Sequence, residues 1–283
     1  MNGAYSPSLV PAPGPTRVTV PAQRIRRYSM PVVGVIRDAF AVAGRNLIAF
    51  RRVPALLVFT AIQPIVFVLL FRYVFGGAIS IPGVSYVDYL MPGIFVQTVV
   101  SGATVSAIGL ATDVKSGLLE RFRSLPMASS AVRAGRTLAD LVRGAFVIAL
   151  IAIVGFLVGF RVHTSVWGFV AALALVLLFA HAFAWIFAAV GLAVGDPESA
   201  QAATFPVIAP LVFASSAFVP VSMMPGWLQA FAMHQPVSIT ASAVRALVLG
   251  GPTTSLVLQS IAWSLGILLV CVSLAVWRYR RAV

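Results

Sequence analysis

Acidic residues are scarce in this chain: 7 Asp and Glu stand against 20 Lys and Arg in 283 residues. One lysine is present, Lys115, and it follows Val114. The G-K-[ST] step of a phosphate-binding Walker A loop is therefore missing, so any ATP hydrolysis belongs to another chain. One cysteine, Cys271, excludes a disulfide within the chain and a cysteine-based metal cluster. Three histidines (163, 181, 234) stand far apart, and no Ser-His-Asp or metal-ligand spacing surrounds them. Charged residues make up 10% of the chain. Soluble domains carry about 25%, so too few polar groups are present to cover a water-facing surface.

What fills the chain is apolar: 60% of residues are hydrophobic, and they come in runs of 20 or more. Such runs read as membrane helices, since crossing roughly 30 Å of hydrocarbon takes about 20 residues at 1.5 Å each. The sequence predicts an all-α, polytopic membrane protein with six spans, near 54–75, 88–112, 139–160, 166–194, 202–221 and 254–277. Segment 222–253 is broken by Pro225, Gly226 and Pro236. Its uninterrupted remainder, 237–249, is too short to cross, so two short helices that dip into the membrane or lie on it are expected there.

The net charge of +13 is a topology signal, not a nucleic-acid one. With the N-terminus inside, seventeen of the twenty basic residues fall on the inner side. Eight arginines precede span one, five basic residues lie between spans two and three, Arg143 starts span three, and three arginines follow span six. Arg72, Arg161 and Arg245 remain outside. This bias predicts that both termini are cytoplasmic. Arg-rich, Lys-poor and Ala-rich usage suits a GC-rich bacterial genome, and hence a bacterial inner membrane, as the place of the chain. Residues 1–30 are proline-rich and read as a disordered cytoplasmic leader. In 31–50, Ile36, Phe40, Leu47 and Phe50 share one face, as expected of an amphipathic helix in the inner interface.

Polar residues inside the spans are few. Gln63 precedes Pro64 in span one, where a kink is expected. Span two carries Phe95, Gln97, Thr98, Ser101, Thr104 and Ser106, with Gly102 and Ser106 in a small-xxx-small pair. Such residues pack helices closely or face a route for a substrate. Gln63, Phe95, Gln97 and Thr98 are the candidates for such a route. His181 has Trp185 one turn later and reads as a buried, neutral, hydrogen-bonded residue. Asp88 and Asp140 fall at the edges of spans. "GDPESAQ", 195–201, suits a turn leading into a capped helix.

Residues 117–143, "GLLERFRSLPMASSAVRAGRTLADLVR", hold five arginines and two acids. Leu118, Phe122 and Leu125 form an apolar stripe, Glu120 can pair with Arg123, and Pro126 ends the helix. Such a helix can dock into a groove on a partner or rest on lipid headgroups.

"GLLERFRSLPM" followed by "GRTLADLVR" resembles the membrane subunit of ABC type 2 transporters, in the daunorubicin-resistance permease branch. "YVFGGAI" (73–79), "YLMPGIFVQT" (89–98), "GLATDVKSG" (109–117) and "FVPVSMMPGWLQAFAMHQPVS" (218–238) agree with it. The resemblance covers most of the chain from about residue 31 onward and implies a transmembrane domain over 31–283. It implies a permease of six helices that pairs with a second permease, identical or homologous, and docks two copies of a cytoplasmic ATPase. ATP and magnesium would be bound by that ATPase, with no cofactor on this chain. The resemblance also implies that the first cytoplasmic loop couples to the ATPase through Lys115, Leu118, Glu120, Arg121, Phe122, Arg123, Leu125 and Pro126. The cargo would be a hydrophobic or amphipathic compound, such as a drug, antibiotic, polyketide or lipid. The alternative is a secondary transporter or channel working without an ATPase.

Overall fold

The computed structural model describes residues 54–79, 81–117 and 129–281. Among them all regular structure is helical. In chain order the helices are α1 (Pro54–Leu70, continued by a π-helical turn, Phe71–Phe75), α2 (Tyr86–Lys115), α3 (Ser129–Val158), α4 (Val166–Val194), α5 (Pro197–Phe213), α6 (Gly226–His234), α7 (Pro236–Leu249) and α8 (Thr253–Arg281). Tyr86–Lys115, Asp140–Val158, Val166–Val194 and Thr253–Cys271 are long and apolar enough to cross a membrane. α5 has 17 residues, about 25 Å at 1.5 Å per residue. The leader and the 31–50 helix read from the sequence lie outside the described residues.

α2 is the centre of the bundle. Every residue from Tyr86 to Val100 is buried, and α2 packs against α1, α3, α4, α5 and α7. A span buried on all sides has no amphipathic stripe. Two glycines permit the closest approaches. A Cβ on Gly191 of α4 would overlap the Ala107 carbonyl of α2, and one on Gly93 of α2 would overlap the Ala217 carbonyl. The small-xxx-small reading picked a different residue: a Cβ on Gly102 would meet nothing within 4 Å.

Helix ends follow local chemistry. Ser85 caps α2 by accepting from Asp88 N at 3.2 Å, and Ser165 caps α4 by accepting from Gly168 N at 3.1 Å. Gly195 ends α4 in the left-handed region at φ 71°. Asp196 then caps α5, with Pro197 at its start, as the "GDPESAQ" reading expected. α5 therefore begins earlier than residue 202, and it ends at Phe213 instead of 221.

The bundle has two ends. At one, Asp88 Oδ1 accepts from Arg161 N at 2.7 Å, and Asp88 Oδ2 lies 3.8 Å from His163 Nε2. Here Thr164 Oγ1 also donates to Leu247 O at 2.6 Å, tying the α3–α4 loop to α7. At the opposite end Lys115 Nζ meets Asp196 Oδ1 at 2.8 Å, joining the last turn of α2 to the first of α5.

Candidate functional site: a polar-aromatic cleft and a buried charge cluster

A cleft of about 540 Å³ opens between α1, α2 and α5. Gln97, Ser101 and Thr104 recur at i, i+4 and i+7 on α2, so one helix face presents all three to it. Gln63 and Phe67 face it from α1, and Gln201, Thr204, Phe205 and Phe213 from α5. Among the described residues none that lines it is charged. Gln97 is 3% exposed. Its Nε2 donates to Ser101 Oγ at 3.3 Å, and its Oε1 is buried without a hydrogen-bond partner among the described residues. A buried carbonyl left unpaired costs about 1–3 kcal/mol, and a donor entering the cleft would relieve that cost. Size, aromatic walls and a few fixed polar groups are what small-molecule sites have in common.

Beside the cleft, α2, α3 and α4 enclose a chamber of about 50 Å³. Ser106 Oγ donates to Asp140 Oδ2 at 3.1 Å. Arg143 lies 3.6 Å from Asp140 Oδ1 and donates to Gly102 O at 3.4 Å. Across from them, Trp185 Nε1 donates to His181 Nε2 at 3.2 Å. Nε2 therefore accepts, and the proton of a neutral ring sits on Nδ1; His181 is hydrogen-bonded as read, but half-buried instead of buried. His181 Nδ1 and Arg143 Nε are buried without partners among the described residues. A water needs roughly 10–15 Å³ and two or more polar partners, so the chamber has room and groups for ordered water.

The residues singled out in the sequence separate. Gln63 and Gln97 meet in the cleft. Thr98, the next residue, turns to the chamber and donates to Ile94 O at 2.7 Å. Phe95 is fully buried in the core, its ring edge-on to Phe160 with centroids 6.3 Å apart. Lys115 is at the far end in its ion pair. Leu118, Glu120, Arg121, Phe122, Arg123, Leu125 and Pro126 lie outside the described residues. The sequence reading missed the α5 side of the cleft, although Gln201, Thr204, Phe205 and Ile208 already share one helical face.

The ABC-2 type transporter family model matches residues 37–249. The chain belongs to the ABC-2 type transporter family. A daunorubicin resistance ABC transporter permease protein of Streptomyces coeruleorubidus is 36% identical over 206 residues, 73% of each chain. A probable doxorubicin resistance ABC transporter permease protein of Mycobacterium tuberculosis is 28% identical, over 78% of this chain and 80% of its own. A putative transport permease of Cyanophora paradoxa is 27% identical over 75% of this chain. The daunorubicin-resistance likeness read from the loop motifs is thus borne out across most of the chain.

Within this ABC-2 permease the Lys115–Asp196 pair has a measurable signature. Lys115, and then the backbone and hydroxyl of Ser199, hold the Asp196 carboxyl down at about 2. A depressed carboxylate adds stability above its unfolded value of about 3.9 and loses it as pH falls toward the folded one. A carboxyl NMR titration should therefore show Asp196 titrating near the lower value, and Lys115→Ala should move the midpoint up. A midpoint near 4 in the unaltered protein would mean the pair is absent in solution.

Proposed function

We propose that this chain is the membrane subunit of an ATP-driven exporter that moves a hydrophobic or amphipathic compound through the α1–α2–α5 cleft. The main support is that cleft: drug-sized, uncharged, walled by phenylalanines, with the Gln97 carbonyl oxygen unpaired inside it. Relatives named for daunorubicin and doxorubicin resistance favour a drug-like cargo.

In this reading the chain crosses the inner membrane six times with both termini inside. α1 and α5 are the two spans of marginal length, and α6 and α7 are the short helices on the outer side. Two copies of a cytoplasmic ATPase bind ATP and magnesium, and a second permease completes the path. Lys115, Leu118, Glu120, Arg121, Phe122, Arg123, Leu125 and Pro126 carry the docking helix. Its closure by the ATPase would reach the cleft through the Lys115 end, where α2 and α5 are tied.

The experiment is reconstitution with a co-purified ABC ATPase, using daunorubicin as the probe in inverted vesicles. ATP-dependent uptake is expected. Leu118→Asp or Phe122→Asp should cut it to near background while the protein still inserts, and Gln97→Leu should weaken uptake without releasing the ATPase. A chain that binds no ABC ATPase and leaves its hydrolysis unchanged is not such a subunit. Asp140 and His181 around one polar chamber favour a second reading, transport without an ATPase. Uptake driven by a proton gradient with no ATP would select it.

A further inference from the structure

Five phenylalanines continue from the cleft toward the Asp88 end of the bundle. Phe67 and Phe213 line the cleft itself. The Phe218 ring stacks on both, with centroids 5.8 Å from Phe67 and 6.0 Å from Phe213. Phe71 lies against Phe218 at 4.6 Å with the planes 8° apart, and Phe75 follows at 5.1 Å from Phe71. These separations are those of stacked aromatic pairs.

The two sides of the stack are held differently. Phe218 is 4% exposed and belongs to the non-helical connection after α5. Backbone there has no helical partners, and side chains supply them. Tyr86 Oη donates to Phe218 O at 3.1 Å. Tyr89 Oη and Arg245 donate to Ser216 O at 3.1 and 3.0 Å. Ser238 Oγ accepts from Ser216 N at 3.0 Å. Gly93 lets this segment press directly on α2. Phe218 thus stands on a fixed post. Phe71 opens the π-helical turn that ends α1, and no residue of that turn is buried. Along the described part of α1, 61–70, Ile62, Val66, Leu69 and Leu70 are exposed while Ala61 and Val68 are buried. The Phe71 side of the stack is thus held by fewer fixed contacts than the Phe218 side, and the less tied side is the one that can shift.

We infer that Phe71 and Phe218 are the closed constriction at the Asp88 end of the cleft, and that α1 swings away from the fixed Phe218 ring to open it. This rests on the cleft being the cargo's path. The two faces of the stack offer no hydrogen-bonding group, so flat apolar groups can slide between the rings, whereas a hydrated head must shed its water to pass. The pair therefore helps decide what leaves the cleft.

The test reads access and needs no known cargo. In the full complex in intact cells, with Cys271→Ala, Thr104→Cys reports the cleft to a membrane-impermeant maleimide. Ala78→Cys, exposed at the Asp88 end, is the labelling control. With both rings present Thr104→Cys should stay near background. Phe71→Ala should bring it close to complete labelling, and Phe71→Tyr should keep it protected. Phe218→Ala should act alike; because Phe218 is buried, the half-buried Phe71 carries the test if that variant does not fold. Full labelling with both rings intact, or no rise in Phe71→Ala while Ala78→Cys labels, overturns the gate. Export that persists in that last case leaves the proposed function standing and removes the gate alone.

Discussion

Gly191→Ala should cost most of the folded, monodisperse protein, while Gly102→Ala should be neutral or stabilising. Helix propensity alone favours alanine over glycine by about 0.8–1 kcal/mol at either position. What differs is the neighbour. A Cβ on Gly191 would overlap the Ala107 carbonyl, main chain that cannot rotate aside. α4 would have to move off α2, where Ala107, Phe183 and Phe187 are buried. Overpacking of a dense core costs about 1–3 kcal/mol even where side chains can adjust, and backbone contact puts this case at the top of that range or beyond. Gly102 has nothing within 4 Å of its would-be Cβ. Size-exclusion profiles and thermal unfolding in detergent compare the two. Equal behaviour would mean that α2 and α4 do not approach as closely as described.

Asp140→Ala should be the most damaging change around the chamber, and it should be largely repaired by neutralising its partner. Arg143 and Asp140 side chains are 8% and 21% exposed. Removing the carboxylate leaves a buried cation whose remaining partner among the described residues is Gly102 O; breaking a fully buried pair costs about 3–5 kcal/mol, and the partly exposed Asp140 puts this case at the lower end. The double variant Asp140→Asn with Arg143→Gln removes both charges and keeps polar groups of similar size. It should recover most of that loss. Unfolding of Asp140→Asn, of Arg143→Gln and of the double gives the coupling energy directly. Additive losses would show that the two side chains do not depend on each other.

Much of the architecture was legible because long apolar runs and caps are local signals. α4 occupies 166–194 as read, bounded by Ser165 and Gly195. α5 was read too late at both ends for two physical reasons. The Asp196-Pro197 cap starts it before the apolar run begins, and the chain from 214 onward leaves the helix because distant side chains satisfy its backbone. The partners Tyr89 and Ser238 are 127 and 22 residues away in sequence, beyond any periodicity. The glycine reading failed similarly, since what a Cβ meets depends on the facing helix. At the cleft, Gln63 and Gln97 stood out as amides in apolar spans. The chamber did not, because Asp140 looked like an edge acid and His181 looked solitary until α3 and α4 were packed together.

The pinned connection after α5 also bears on the order in which the chain can be built. Its carbonyls at 216 and 218 meet Tyr86 and Tyr89, which leave the ribosome early, yet Ser238 and Arg245 emerge only after the segment itself. Until α7 arrives, Ser216 N lacks the acceptor it has in the finished bundle. The post beneath Phe218 is therefore set late in synthesis, and the sealed end of the cleft is completed after most of the bundle has entered the membrane.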